Sequence, residues 1–296
     1  MTSLDGARTV LITGASSGIG RATAIELAGR GDRLVLLARG KQALEETAEE
    51  VRAAGAGEVV VAAFDVNDEA ALRQVVDDAV QRWGRLDAVV HAAQVMAYGR
   101  IDDVPAEVFE AVVDTALHGT ANLARAVIPR FREHGRGGLV VVGSLLASVT
   151  TPWLGSYIAA KWGQLGLVRV LQQENRDVPG IAISVVSPGG VDTPIYYKGA
   201  SYLGSTGRPP PPIYTAERVA RKIVATLDRP RRHVHAGFAN PVIVAGFRLV
   251  PAVYDALVGP LMKLGGIARD RVPPTVGNVF ESRPETNTTH GRWRGL

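Results

Sequence analysis

Short runs rich in Val, Leu and Ile alternate with longer helical patterns, six times in succession, before the rhythm of this 296-residue chain breaks. The runs lie at Thr9–Thr13 (TVLIT), 34–38 (LVLLA), 58–64, 88–91, 139–142 and 181–186. Helical patterns fill the intervals at about 18–29, 41–54, 69–83, 106–133 and 156–176. The strand-like runs are continuously apolar rather than alternating, as expected of strands covered on both faces. Helical crossovers between such strands make a parallel sheet, and their right-handedness leaves few topologies. The expected fold class is α/β, a doubly wound parallel sheet in three α/β/α layers, with a helical C-terminal extension.

After residue 186 the pattern changes. Residues 187–212 are rich in Gly, Pro, Ser and Tyr and include four consecutive prolines at 209–212. A connector of that length reads as a lid or binding loop, placed at about 190–214. Thr215 then caps a helix to about residue 227, with Glu217 in its first turn. A last strand is expected at 232–236, broken apolar helices at 240–267, and from 273 a tail that is loose or orders on contact. Residues 1–236 therefore read as one nucleotide-binding and catalytic domain, and 237–296 as an extension packed on it.

The chain has no cysteine, which excludes disulfides, thiolate metal sites, iron–sulfur clusters and a cysteine nucleophile. Residues 1–207 hold 19 Lys+Arg against 23 Asp+Glu, whereas 208–296 hold 14 against 6. The basic third reads first as a solvated face. Nucleic acid is not expected, because no interleaved aromatic and basic motif occurs. Arg229, Arg231 and Arg232 precede the apolar stretch 242–264, so a weak membrane-surface contact through 229–264 is one reading. A subunit interface or a cover over a pocket is the reading preferred to it. No window approaches about 18 apolar residues without charge, and residues 1–8 hold no apolar signal core. A cytoplasmic location is expected.

The first strand runs directly into Thr13-Gly14-Ala15-Ser16-Ser17-Gly18-Ile19-Gly20, which opens a helix. Glycines there permit a sharp turn and a close approach of phosphate to the backbone, and the helix N-terminus offers free N–H groups. The spacing is Gly-x3-Gly-x-Gly, without the Gly-Lys-Ser/Thr ending of nucleotide hydrolases. An NAD site calls for an acidic group about 20 residues on, at the end of the second strand. This chain reads Leu37-Ala38-Arg39-Gly40-Lys41 there, and Asp32 lies at the strand's other end. Arg39 and Lys41 suit a 2′-phosphate, so the expected coenzyme is NADP(H). Asp65 and Val66 end the third strand beside the expected adenine position, although Asp65 also suits a helix N-cap.

Tyr157 and Lys161 stand four residues apart at the start of a helix and share a face. An ammonium beside a phenol favours phenolate and makes tyrosine a better proton exchanger. Ser144 follows the fifth strand, at the sheet edge where open α/β sheets bind ligands. Its hydroxyl is placed to hold a substrate oxygen.

Together these motifs resemble the short-chain dehydrogenase/reductase family over about residues 8–195, a Rossmann-type fold. The resemblance rests on TGASSGIG at 13–20, Asp65-Val66, the set Ser144, Tyr157 and Lys161, and SPGGVDTP at 187–194. It implies Tyr157 as catalytic acid/base, Lys161 as its partner on the nicotinamide ribose, and Ser144 as substrate anchor. It implies coenzyme contacts from Gly14, Ser16, Ser17, Gly18, Ile19, Gly20, Arg39, Asp65 and Val66. Further contacts fall to His91, Ala92 and Ala93 after the fourth strand and to Pro188, Gly189, Val191 and Thr193 after the sixth. It also implies a homodimer or homotetramer built on the helices near 106–133 and 156–176.

Two segments depart from the family pattern. His91-Ala92-Ala93-Gln94 replaces Asn-Asn-Ala-Gly, and Ala116-Leu117-His118-Gly119 carries alanine where the family's tetrad asparagine stands. Alanine has no side-chain hydrogen bond to offer a proton relay. Turnover is then expected to be reduced or specialised, with the backbone, Thr115, His118 or Tyr157 itself serving instead. His91 reads as a strand-end histidine before it reads as a proton carrier, and His233 with His235 as structural, since a metal site lacks a third ligand. The leading expectation is interconversion of a secondary alcohol and a ketone or aldehyde. A hydrophobic substrate fits the aromatic cluster of Trp153, Tyr196, Tyr197 and Tyr202. A coenzyme-binding sensor with little chemistry is the alternative. An epimerase or dehydratase would call for a different glycine spacing.

Overall fold

The computed structural model describes residues 6–283 and 287–293. Its central sheet holds seven parallel strands: β1 (Thr9–Thr13), β2 (Arg33–Ala38), β3 (Val59–Ala63), β4 (Ala88–His91), β6 (Gly137–Val142), β7 (Ile181–Ser187) and β11 (His233–His235). Four two-residue strands, β5 (Ala97–Tyr98), β8 (Gly190–Val191), β9 (Ala200–Ser201) and β10 (Ile213–Tyr214), pair outside it. The spatial order is β11-β7-β6-β4-β1-β2-β3. The chain builds outward from β1 to β3 and then resumes at β4 on β1's other side. The strand order therefore reverses between β1 and β4, which opens a crevice at their carboxyl ends.

Alternate side chains of each strand serve opposite faces. Val10, Ile12, Leu34 and Leu36 pack with α1 (Gly18–Ala28), α2 (Lys41–Ala53) and α8 (Ala216–Asp228). Leu11, Val35 and Leu37 pack on the other side with α3 (Glu69–Trp83), α5 (Gly119–Glu133) and α6 (Gly155–Glu174). Leu11, Ile12, Leu34 and Leu36 are wholly buried, each contributing about 1.5–3 kcal/mol. This is the doubly wound, three-layer architecture that the continuous apolar runs predict.

Local chemistry sets the boundaries. Asp68 caps α3 by accepting the Ala71 N–H, and Gly84 ends it in the left-handed conformation with φ 82°. Thr215 caps α8 through the Arg218 N–H, with Glu217 in the first turn. The expected helix over 106–133 is interrupted: α4 (Ala106–Val113) and α5 flank a π-helical turn at Asp114–His118. Such turns are rare and concentrate at functional sites. The lid region contains α7 (Ile195–Lys198) as well as short strand pairings. In the extension, α9 (Asn240–Leu249) and α10 (Pro251–Gly265) are separated at Val250, whose φ −135° and ψ 58° are those of a residue forced out of the helix by the following proline. Asp32, at the far end of β2 from the crevice, is buried and accepts the Arg8 guanidinium at 3.0 Å.

Candidate active site

The crevice holds a cavity of about 290 Å³, walled by the glycine loop, the ends of β2, β3, β4 and β6, the lid, and the extension. The turn after β1 fits the phosphate cradle expected of it. Gly14 has φ 69°, and a Cβ there would lie 2.8 Å from the Ala92 backbone. A Cβ at Gly20 would lie 2.2 Å from the Gly14 carbonyl oxygen. Both positions therefore exclude any larger residue. Thr13 fixes the neighbouring loop: its hydroxyl accepts the Ala92 and Ala93 N–H groups, each at 3.2 Å, and bonds His91 Nδ1 at 2.8 Å.

The cavity wall includes the predicted residues Gly14, Ser16, Ser17, Gly18, Ile19 and Gly20. It also includes Arg39, Asp65, Val66, Ala92 and Ala93 towards the adenosine end. Ser144, Tyr157, Lys161, Pro188, Gly189, Val191 and Thr193 line the other end. His91 is the exception. It sits behind the wall, 1% exposed, against the Thr13 hydroxyl. Burial, with Lys161 nearby, pulls its imidazole down to about 3, so it stays neutral at pH 7. Lys41 likewise starts α2 as an exposed residue outside the wall.

Tyr157 and Lys161 point from the first turns of α6 to the carboxyl end of β6. Ser144, just beyond that strand, lies beside the Tyr157 phenol and accepts the Leu146 N–H at 3.0 Å, so it is both a site residue and a turn cap. Lys161 Nζ lies 5.8 Å from the Tyr157 ring centroid. Burial pushes the phenol up to about 12, opposed by the Ser144 hydroxyl, and pulls the ammonium down to about 7. The Tyr-Lys spacing alone predicts an ammonium that lowers the phenol; burial outweighs it here.

The departure at Ala116 has a structural counterpart that the sequence did not reveal. Ala116 is fully buried within the π turn. Gln164, one turn beyond Lys161 on α6, donates to the Ala116 carbonyl at 3.1 Å and to the Thr120 hydroxyl at 2.8 Å. Its Oε1 accepts from Lys161 Nζ at 2.9 Å, while Nζ also donates to the Val142 carbonyl at 3.0 Å. A buried amide thus joins the π turn to the lysine. His118 instead pairs with Asp114 on the surface, and Thr115 donates to its own helix at Ala111. The spacing of Tyr157, Lys161 and Gln164 along one helix face was the available signal. Gln94, the other departure, lines the cavity, and its buried Oε1 has no partner among the described residues.

At the end of β2 no carboxylate awaits a ribose. Arg39 stands there, 3.6 Å from Asp65, with its guanidinium donating to backbone carbonyls of Asn278, Val279 and Phe280. Asp65 accepts the Asn67 N–H rather than capping α3. The far end is apolar, walled by Tyr98, Leu146, Val149, Tyr196, Val258 and Met262. Of the aromatic cluster, Tyr196 lines the cavity, Trp153 and Tyr202 pack behind it, and Tyr197 faces Trp293. Trp153 holds φ 69°, a strained value for a bulky residue. Helix α10 closes over this end, where the Tyr254 hydroxyl donates to the Thr150 carbonyl at 2.8 Å. Among the described residues no helix is long and apolar enough to cross a membrane, and no group of three His, Asp or Glu is placed to hold a metal.

Known proteins resemble this chain in sequence and fold. Residues 8–200 match the family model described as short chain dehydrogenase. The 11-beta-hydroxysteroid dehydrogenase 1A of Arabidopsis thaliana is 34% identical over 240 residues, covering 77% of this chain and 67% of that protein. An alcohol dehydrogenase of the archaeon Thermococcus sibiricus, solved with 5-hydroxy-NADP, is 28% identical with a TM-score of 0.66, covering 78% of this chain and 95% of that one. A short chain dehydrogenase of Mycobacterium paratuberculosis bound to NAD is also 28% identical, with a TM-score of 0.68 and coverage of 77% and 95%. With the glycine cradle, the parallel sheet and the family match in agreement, this chain belongs to the short-chain dehydrogenase family of oxidoreductases.

Proposed function

We propose that the protein is an NADP(H)-dependent oxidoreductase that interconverts a secondary alcohol and a ketone or aldehyde, with Tyr157 as acid/base. The observation that carries this reading is the meeting of Tyr157, Ser144 and Lys161 in one cavity with the glycine loop. The preference for NADP(H) rests on Arg39 and the absence of an acid at the end of β2. Solved relatives carry either an NADP derivative or NAD, so this local chemistry decides the proposal. A hydrophobic substrate is supported by the apolar wall and by the steroid named for the plant relative.

The nicotinamide ring supplies or accepts the hydride. In reduction, the Ser144 hydroxyl would hold the carbonyl oxygen, and Tyr157 would give its phenolic proton to that oxygen. In oxidation the phenolate takes the proton back. The Lys161 ammonium stabilises that phenolate. Burial brings Lys161 close to neutrality, so it exchanges protons in the working range. Gln164 and the Val142 carbonyl hold it in place. The polar chain from Lys161 to the π turn stands where a relay through the tetrad asparagine would otherwise run.

The protein is proposed to work in the cytoplasm as a homodimer or homotetramer, to which the half-exposed Trp162 and Val170 on α6 offer an apolar contact. The test of activity is NADPH oxidation with a panel of hydrophobic ketones, by the whole chain and by Tyr157→Phe. Turnover lost in the variant supports the proposal, and equal rates overturn it. Tight coenzyme binding with no turnover on any ketone would favour the sensor reading.

A further inference from the structure

The described residues beyond 277 form no helix or strand, yet they lie along the mouth of the cavity and are bonded to both of its sides. On the β2 side, Arg39 donates to the carbonyls of Asn278 at 2.5 Å, Val279 at 2.7 Å and Phe280 at 3.2 Å. On the glycine-loop side, the Gly18 N–H donates to the Thr288 carbonyl at 2.9 Å, and Arg21 donates to the Asn287 carbonyl at 2.8 Å. Lys198 of α7 donates to Asn287 Oδ1 and also lies 3.4 Å from the Ser17 hydroxyl. On the lid side, the Trp293 N–H donates to Asp192, and its ring packs edge-on to Tyr196 at 5.7 Å. The cavity remains open beneath, with Asn278, Ser282, Arg283 and Asn287 in its wall. The segment roofs the cleft rather than filling it.

Three atoms of this roof are buried without a partner among the described residues, Asn278 Oδ1, Asn287 Nδ2 and His290 Nδ1, and the first two belong to residues of the cavity wall. Buried polar atoms are seldom left unpaired, and each one invites a ligand group. The orientation of Asn287 follows from its neighbours. An ammonium demands the amide oxygen, so Oδ1 faces Lys198 and the two N–H donors of Nδ2 face elsewhere. Nδ2 lies 3.7 Å from where a Cβ on Gly40 would stand, beside Arg39. That is the end of the cleft where a dinucleotide's adenosine ribose meets the β2 edge.

We propose that residues 278–283 and 287–293 are the fourth wall of the coenzyme site, a strap that closes over the adenosine half and governs coenzyme exchange. Asn287 Nδ2 donates to the ribose or its phosphate, and Asn278 Oδ1 accepts from the same half of the molecule. Arg39 serves both sides at once, holding the strap by its carbonyls and facing the phosphate. Because these contacts tie the strap to the β2 edge, the glycine loop and the lid across the mouth of the cleft, the strap swings away for the coenzyme to leave. This inference rests on reading the cavity as the coenzyme site.

A reversible lock tests it. A Cβ at Gly40 would lie 3.2 Å from the Ser282 Cβ, close to the roughly 3.5–4.5 Å that a disulfide spans. The chain has no cysteine of its own, so Gly40→Cys with Ser282→Cys gives one unambiguous bridge. Release of bound NADPH into excess NADP+ is followed by stopped-flow fluorescence. The oxidised double variant should release at least tenfold more slowly than the same protein after dithiothreitol. Asn287→Ala should release several-fold faster than the unaltered chain. Equal release with the bridge closed and open, or failure of the two thiols to pair, overturns the strap while NADPH binding still supports the site. No NADPH binding by the unaltered chain overturns the reading of the site itself, and the strap with it.

Discussion

The sheet and the C-terminal extension bury apolar surface in opposite ways. In the sheet, Leu34, Leu36 and Leu37 are wholly covered, because helices pack on both faces. In the extension, α10 buries Met262 and turns Tyr254 and Val258 towards the cavity, while Val253, Leu257, Leu261 and Leu264 remain 53–69% exposed on its outer face. The first region holds its shape through area removed from water. The second is held mainly by what it covers, through the Tyr254 bond to Thr150 and the strap's bonds to Arg39 and Gly18. A rigid frame that positions Tyr157 thus carries a lightly anchored cover, which suits a site that must exclude water during reaction and open between turnovers.

The largest effect belongs to the frame's chemistry. Tyr157→Phe should lower kcat about 10²–10⁴-fold in steady-state assays, the usual share of a general acid/base, with coenzyme affinity little changed. The two regions then part on stability. Leu36→Ala should cost about 2–5 kcal/mol in urea unfolding, whereas Leu257→Ala should stay within roughly 0.5 kcal/mol. Similar losses at the two leucines would erase the distinction.

Acid should act on the frame before the cover. The folded protein holds His91 near 3, against 6.5 for the free side chain. Between those values the unfolded chain binds the extra proton, so stability falls as pH drops from 6.5 towards 3. Each tenfold difference in proton affinity between the two states is worth about 1.4 kcal/mol. Unfolding midpoints measured across that window should flatten in His91→Asn, and an unchanged slope would place the sensitivity elsewhere. Gln164→Leu should lower kcat about tenfold and move the basic limb of its pH profile, because Lys161 loses its amide partner. Gln164→Glu should move that limb in the opposite sense, since a carboxylate favours the ammonium. The smallest effect concerns the cover's outer face. Anionic vesicles should pellet a minor fraction of the protein, and the double substitution Leu257→Glu with Leu261→Glu should abolish this without altering turnover. Pelleting that is negligible for both proteins would remove the membrane contact.

These differences also explain what the sequence could reveal. The strands were legible because two-sided burial forces continuous apolar runs, and the cradle because its glycines admit no Cβ. Ser144, Tyr157 and Lys161 were legible by position relative to predicted strand and helix. Gln164 was legible only as a third residue on the face of Tyr157 and Lys161; its partner, the Ala116 carbonyl, is supplied by the π turn at Asp114–His118, which left no sign in the sequence. Arg39 was recognised as a cation facing the crevice, but its grip on the strap was hidden, since backbone carbonyls leave no residue signature. His91 was legible as the residue that ends a central strand, but the direction of its ring was not. Only the packing of Thr13 against it shows that the ring lies behind the wall.

The most direct measurement is a crystal structure of the protein grown with NADP+. The account predicts pyrophosphate density on the Gly14–Gly20 turn, and a nicotinamide ring beside Thr193 whose reactive carbon faces the same space as the Tyr157 hydroxyl. A cleft without coenzyme at saturating concentration, or a phenol turned away from the ring, would contradict it.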